Sequence, residues 1–367
     1  MNNTKKAKIK ICIVTSSLGK GGGQKSSAVL SILLDSLGYD VHIVSILDTI
    51  DYAYKGTLLN LGILKKENDS VFGKIKRFYV FFYFIRTQNF DFIIDSRSRP
   101  SIIKQFLINK LIYVNQKVIF IVHSFFLEKY IPKNKCVAQY LYRKAYKFVT
   151  VSHAIKFKLL STYHFDNVHV VHNAVNEVHT KSERDLLVPK DDYILFFGRI
   201  EDSIKNLTLL IESYKLSVLR DKNIKLVILG EGSDELKLKQ KVQAMDINEH
   251  VLFLPYTKNP YPVVSKAMFT ILTSKYEGFP TMLIESLSQG TPVISVDCQS
   301  GPSEIIIEAQ NGLLVPNNDP DLLSEAMNRF VNDNDLYLFC KNNAKKSVEK
   351  FNKQHISKDW KRIIESI

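Results

Sequence analysis

With 367 residues, 45% of them hydrophobic and 24% charged, the chain is long enough for two domains and has a globular composition, neither disordered nor membrane-spanning. Its net charge of +13 is lopsided: residues 1–180 hold 26 Lys+Arg against 11 Asp+Glu, and residues 181–367 hold 24 against 26. The first half should be drawn to an anionic surface, nucleic acid or phospholipid, unless the excess is simply a lysine-rich solvated face.

The basic N-terminus leads into a short apolar run and then a glycine-rich turn, so residues 9–15 read as a first β-strand and not a signal peptide. Short β-branched runs then recur: KIKICIVT (8–15), DVHIVSI (40–46), DFIIDS (91–96), KVIFIVHS (117–124), KFVTVS (147–152) and VHVVHN (168–173). Helix-length segments such as QKSSAVLSILLDSLG (24–38) and RPSIIKQFLINKLI (99–112) separate several of them. Strands alternating with helices imply a parallel, doubly wound sheet. The most apolar stretch, FYVFFYFI (78–85), falls well short of the about twenty residues a membrane helix needs. It lies within KIKRFYVFFYFIR (74–86), where cations flank aromatic residues. That segment is either a surface-dipping helix or a buried element of the first domain.

A polar linker, TKSERDLLVPKDD (180–192), precedes a second alternation: YILFFGRI (193–200), IKLVILGEG (224–232), VLFLPY (251–256), MFTILTS (268–274), TPVISVD (291–297) and GLLVP (312–316). The expected organisation is therefore a Rossmann-like domain over 1–180 and a second over 181–350. A closing helical segment over 351–367 carries the sole tryptophan, Trp360. The four cysteines, Cys12, Cys136, Cys298 and Cys340, form no C-x-x-C pair. They read as small buried apolar residues in a reducing compartment.

Chemistry-bearing positions cluster at strand ends, where α/β proteins bind ligands. After the first strand, Gly21, Gly22 and Gly23 permit a sharp turn and open a helix whose free amides suit an anion. The run matches neither the dinucleotide nor the P-loop pattern, and any strand-to-helix turn can hold glycine. His123 ends the strand VIFIVH, a position compatible with a ligand contact or a structural role. Arg199 follows Gly198 at a strand end, and Lys205 is expected at the start of the next helix. The two cations suit a diphosphate, or form an ordinary solvated basic pair. Gly230 and Gly232 could admit a nucleobase against backbone.

The stretch KYEGFPTMLIE is more specific. Gly278 permits a tight turn, Pro280 suits a first helical position, and a helix starts near Thr281. The amides of Gly278 and Phe279 would extend from a positive helix end. Glu277 lies in the turn, and Glu285, among apolar neighbours, calls for a partner. The two glutamates could grip one elongated ligand at separate points. The pairs DPD (319–321) and DND (333–335) lie near expected helix starts, where capping explains them.

Taken in order, the glycine loop GKGGGQ, His123, VSHAIK, HNAV, FGRI with a following KN, LGEG, the E-x7-E element EGFPTMLIE, and GTPVISVDCQSGPSEII with NGLLV resemble the retaining glycosyltransferases of family 4. The resemblance runs nearly end to end. It implies the GT-B fold, two Rossmann-like doubly wound parallel-sheet domains with an interdomain cleft that closes on substrate. It implies that the C-terminal domain binds a sugar nucleotide, with Arg199 and Lys205 holding the donor diphosphate and neutralising the departing charge. Glu277 would contact the donor sugar, Glu285 the ribose hydroxyls, and Gly22 and Gly23 the diphosphate. His123 would lie near the reacting carbon, and the last helix would cross back to the N-terminal domain.

The resemblance further implies that no bound metal or cofactor is needed and that the product keeps the α configuration. Front-face attack would have the leaving phosphate help take the acceptor proton. Two features are particular to this chain. Gln24 and Lys25 stand where the family's glycine loop continues with an acid, which bears on the acceptor side of the loop. SGPSEII (300–306) resembles bacterial enzymes of capsule, lipopolysaccharide and lipid-linked oligosaccharide assembly, favouring a UDP-hexose or UDP-N-acetylhexosamine over GDP-mannose.

The expected protein is therefore a cytoplasmic hexosyltransferase, peripheral at the inner face of the membrane. Its partners would be a nucleotide-sugar donor, a glycan or lipid-linked acceptor and an anionic lipid surface, with no nucleic acid. The alternatives are a GDP-mannose-dependent α-mannosyltransferase, a non-catalytic sugar-nucleotide binder and a nucleic-acid binder. No helix-turn-helix, zinc-finger or RNP pattern supports the last.

Overall fold

The computed structural model describes residues 8–175 and 188–366. Residues 180–187 of the expected linker lie outside the described residues. The chain forms two compact units, Met1–Asn176 with Lys353–Ile367, and Glu177–Asn352.

The first unit holds seven strands: β1 (Lys10–Thr15), β2 (Asp40–Ser45), β3 (Thr57–Asn60), β4 (Phe92–Asp95), β5 (Val118–Val122), β6 (Lys147–Thr150) and β7 (Val168–Val170). They are ordered β3-β2-β1-β4-β5-β6-β7, every pairing parallel. β1, β4 and β5 are buried along almost their whole length, which explains their near-continuous β-branched runs. β3 had no clear signal in the sequence, because this edge strand is four residues long and exposed or half-buried throughout.

The second unit holds β8 (Tyr193–Phe197), β9 (Lys225–Leu229), β10 (Val251–Leu254), β11 (Thr270–Leu272), β12 (Val293–Val296) and β13 (Gly312–Val315). Their order is β10-β9-β8-β11-β12-β13, again parallel throughout. Each sheet reverses direction once, between β1 and β4 in the first and between β8 and β11 in the second. Ligands of open α/β sheets bind beyond the carboxyl ends of the strands at such a switch point.

The helix Lys353–Glu365 belongs to the first unit, where its Trp360 is buried. Lys147 Nζ donates to Ile363 O at 2.8 Å, and Tyr39 Oη donates to Glu365 Oε1 at 3.1 Å. Asp319 and Asp333 cap the helices Pro320–Asn332 and Asn334–Ser347.

Several details correct the sequence reading. Cys136 is exposed, whereas the other three cysteines are buried; it lies in the first turn of Lys135–Tyr142, on the helix face turned away from the core. The segment 99–112 is not one helix. An α-helix, Ile102–Leu107, passes into a π-helical turn, Ile108–Ile112. Residues 74–86 lie in one helix, Val71–Gln88, which buries Gly73, Phe81 and Ile85 and leaves other apolar side chains outside.

Candidate active site

In the first unit the chain leaves β1, turns at Gly21 with φ 131° and enters the helix Gly22–Ser36. Of the three consecutive glycines, only Gly21 needs glycine's backbone freedom. Gly22 has open space where a side chain would be, and a Cβ on Gly23 would lie 3.8 Å from the His123 ring. Gln24 and Lys25 belong to the first turn of this helix, with Lys25 N–H donating to Gly21 O.

His123 directly follows β5. Its Nε2 lies 2.8 Å from Ser96 Oγ, which lies 2.7 Å from Ser27 Oγ, and Ser27 Oγ donates to Gly23 O at 3.0 Å. The carbonyl can only accept, so it commits the single Ser27 proton. Ser27 must then accept from Ser96, and Ser96 from His123. The chain therefore runs His123 Nε2–H to Ser96 to Ser27 to Gly23 O, and the imidazole is the Nε2–H tautomer. Its Nδ1 is sealed from solvent and makes no hydrogen bond among the described residues. Burial, helped by the nearby Arg99 charge, pulls the His123 pKa down to about 4, so the ring is neutral at physiological pH. The Ser27–Ser96 contact bridges β1's helix to β4 across the first switch point.

Beneath this chain lies a buried ionic cluster. Asp95 accepts from Arg97 Nη2 at 2.6 Å and Arg97 Nε at 3.0 Å, and from Tyr113 Oη at 3.1 Å. Arg99 donates to Asp95 O at 3.1 Å and to Ile121 O at 3.2 Å, and so ties the ends of β4 and β5 together. Those are the strand ends that carry Ser96 and His123.

In the second unit the turn after β8 presents Arg199, whose Nη1 lies 3.2 Å from Glu201 Oε2. Lys205 does not start a long helix. It closes the four-residue helix Asp202–Lys205, and the next, Leu207–Leu216, begins after Asn206 in the left-handed region at φ 51°. That left-handed residue stops the first helix and redirects the chain. Lys205 Nζ donates to Glu277 Oε1 at 2.6 Å, and Ser274 Oγ donates to the same oxygen at 2.7 Å. Backbone contacts reinforce the pairing: Thr273 Oγ1 donates to Lys205 O and Lys275 N–H to Ile204 O, each at 2.8 Å. Lys205 and Glu277 thus span the second switch point, between β8 and β11. Each cation of the expected diphosphate pair is held by a carboxylate, Arg199 by Glu201 and Lys205 by Glu277.

The helix after Glu277 runs Thr281–Ser288, with Pro280 as its N-cap and not its first residue. Proline's ψ of 88° is not helical, so the helical conformation starts one residue later. Glu285 is buried in this helix. The Phe279 ring is also buried, edge-on to Phe351 at 5.2 Å. Gly278 O accepts from Ser300 Oγ at 2.7 Å. Gly230 and Gly232 make room for the protein's own chain: a Cβ would meet Gly198 O at 1.9 Å and Ile200 O at 2.0 Å.

Ser27, Ser96 and Ser274 escaped the sequence reading. The signal was available for two of them, since Ser96 and Ser274 are the polar residues closing the apolar runs DFIID and FTILT at strand ends.

The family profile described as Glycosyltransferase Family 4 matches residues 20–178, and the one described as Glycosyl transferases group 1 matches residues 178–347. The chain belongs to this glycosyltransferase family. Among curated relatives of the transferase, the N-acetylgalactosamine-N,N'-diacetylbacillosaminyl-diphospho-undecaprenol 4-alpha-N-acetylgalactosaminyltransferase of Campylobacter jejuni is 28% identical, covering 95% of this chain and 98% of that protein. The amylovoran biosynthesis glycosyltransferase AmsD of Erwinia amylovora is 25% identical over 94% of this chain and 96% of its own. The solved structure of Staphylococcus aureus TarM with fondaparinux, alpha-GlcNAc-glycerol and UDP matches at a TM-score of 0.78 and 15% identity, covering 97% of this chain and 99% of that one. Anabaena HepE in complex with UDP matches at 0.77 and 16%, covering 98% and 100%. These likenesses place the transferase in the GT-B fold.

Proposed function

We propose that the transferase moves a hexose or N-acetylhexosamine from a UDP-sugar to a glycan acceptor carried on a lipid or growing polysaccharide, with retention and without a metal. The observation that carries this reading is the Lys205–Glu277 contact at the switch point of the second sheet. A cation and a carboxylate there stand where a nucleotide sugar's diphosphate and sugar would lie in an α/β site. Lys205, with Arg199, would turn its charge to the diphosphate and stabilise the departing negative charge. Glu277, released from Lys205 but held by Ser274, would accept hydrogen bonds from the sugar and face positive charge developing at its anomeric carbon. Buried Glu285 would take the ribose hydroxyls, with the Gly230–Gly232 turn near the base and the Gly278–Phe279 backbone near the sugar.

In the first unit, Gly22 and Gly23 would serve the diphosphate and neutral His123 the sugar. The Gln24–Lys25 turn would face the acceptor. The names of the relatives support the substrate class: one acts on a diphospho-undecaprenol acceptor and another in amylovoran synthesis, and two structural neighbours were solved with UDP. A lipid-borne acceptor would place the enzyme at the inner membrane face, where the excess basic charge of the first half is favourable. Among the described residues no helix is long and apolar enough to cross a membrane.

The test is a panel of UDP- and GDP-sugars, with and without EDTA, against the wild type, Lys205→Ala and Glu277→Ala. One UDP-sugar turned over in EDTA, with turnover lost in both variants, is the expected result. Turnover restricted to GDP-mannose would move the enzyme to mannosyl transfer, and a strict EDTA block would overturn the metal-independent reading. Absence of any sugar-nucleotide binding would overturn the reaction itself.

A further inference from the structure

The first unit carries a face whose composition ordinary solvation does not explain. The helix Val71–Gln88 already buries Gly73, Phe81 and Ile85 on its core side. Its opposite side exposes Phe72 (82%), Ile75 (61%), Tyr79 (61%) and Tyr83 (57%). Their spacing of three, four and four residues places them in one stripe along the helix. A surface helix that is apolar on both sides has a second apolar environment to meet.

The stripe continues onto neighbouring elements. Arg86 Nη2 donates to Leu111 O at 3.4 Å, joining this helix to the π-helical turn. There and in the preceding helix, Ile103 (74%), Phe106 and Leu111 are exposed. Phe106 stacks on Tyr140 of the helix Lys135–Tyr142, with ring centroids 6.4 Å apart and an interplanar angle of 16°. Lys110 lies over both rings, and Arg143 over Tyr140 at 4.6 Å. Cations interleave throughout: Lys76, Arg86, Lys104, Lys110 and Arg143 are all exposed. Residues 70–90 contain no carboxylate, and Glu128 is the only one in residues 96–165.

We propose that this face is a docking surface for an anionic phospholipid bilayer, with Phe72, Ile75, Tyr79, Ile103 and Phe106 entering the headgroup–acyl boundary and the surrounding cations meeting lipid phosphates. Aromatic residues and long basic side chains suit that boundary, where one end of each is apolar and the other wet. Charge selects this occupant over a second copy of the chain. A two-fold interface would set the same uncompensated cations against each other, and no acidic group on the face relieves them. The surface deepens the proposed function, resting on it only for the idea that the acceptor is lipid-borne.

Flotation of the full chain with phosphatidylglycerol-containing and with pure phosphatidylcholine vesicles tests it. Sugar-nucleotide turnover is read on the same preparations. Wild type should partition at least tenfold more strongly onto the anionic vesicles, with the preference shrinking as salt rises. The double variant Phe72→Ser/Ile103→Ser should lose at least tenfold in partition. Lys76→Gln/Lys110→Gln should lose several-fold and show a flatter salt dependence.

Leu236→Ser, at a similarly exposed apolar residue of the second unit, should partition like wild type. All these sites are exposed, so unchanged thermal unfolding is expected. Wild-type partition by both double variants would overturn the proposal, as would equal binding to neutral vesicles. A wild-type dimer that the Phe72/Ile103 variant converts to monomer, with no vesicle binding, would assign the face to self-association instead. Intact donor turnover alongside failed flotation would remove only this surface. Failed turnover alongside patch-dependent flotation would remove the transferase substrate reading and leave the surface.

Discussion

Lys205 Nζ and Glu277 Oε1 lie 2.6 Å apart, and their contact joins the short helix after β8 to the turn after β11. The side chains are 22% and 14% exposed, too sheltered for the pair to be an ordinary surface ion pair. Lys205→Ala should lower stability by about 1–3 kcal/mol, the scale of a lost charge-assisted hydrogen bond. If Lys205 also neutralises the departing diphosphate, donor turnover should fall about 10²–10³-fold. Chemical denaturation and turnover on the same preparation separate the two effects. A stability loss with unchanged turnover would make the pair structural.

His123 yields a pH prediction. Its pKa is depressed in the folded state to about 4 by burial and the Arg99 charge, from an ordinary value near 6.5. Between those values the unfolded chain binds a proton that the folded chain does not. The stabilisation is therefore complete above about pH 6.5 and is lost as pH falls through about 4. Denaturation from pH 7 to 4 should show wild type losing stability, with His123→Gln losing less. Ser96→Ala should cost about 1–3 kcal/mol by orphaning the His123 Nε2–H. In ¹⁵N spectra of wild type, His123 should have the proton on Nε2; an Nδ1–H signal would contradict the deduced polarity.

Two glycines should separate packing from ligand approach. Gly230→Ala would push a Cβ to 1.9 Å from Gly198 O at a backbone φ of 156°, and should cost roughly 2–4 kcal/mol or prevent folding. Gly22→Ala meets nothing within 4 Å, and at a helix start it should be neutral or stabilise by up to about 1 kcal/mol. If Gly22 lets a diphosphate approach, this stable variant should still lose at least tenfold in donor turnover. Full turnover would assign Gly22 to the turn alone.

Asp95 is the single carboxylate of the buried cluster with Arg97 and Arg99. Burial alone would raise its pKa, but the two guanidiniums and the Arg97 hydrogen bonds outweigh it and hold the value below the usual one. A depressed folded-state value means stability present above about pH 3.9 and lost as pH falls below it. Asp95→Asn leaves the buried Arg99 and half-buried Arg97 guanidiniums without their counter-charge and should cost about 3–5 kcal/mol. Because Arg99 ties β4 to β5, donor turnover should fall with it. Unfolding free energy measured from pH 7 to 3 checks the stability, and donor turnover of Asp95→Asn at pH 7 checks the coupling.

Sequence reading located twelve of the thirteen strands among the described residues, because buried parallel strands need near-continuous β-branched runs. It missed β3, an edge strand that buries too little to carry such a pattern. It read 74–86 as either buried or surface-facing, and the helix proved to be both. The alternatives were indistinguishable in the sequence because apolar residues occupy every side of the helix, and only packing of Phe81 against Tyr113 and of Phe84 against His42 of β2 chose which side turned inward.

What the amino-acid order determined by itself was therefore local: strands, aspartate caps and the residues at strand ends. Tertiary structure alone decided which distant residues share a proton or a charge. Ser27, Ser96 and His123 are separated by 69 and 27 positions, and Lys205 and Glu277 by 72. Their meetings depend on strand order, which places β4 beside β1 and β11 beside β8. A hydrogen bond acts over about 3 Å, so no periodicity along the chain encodes it.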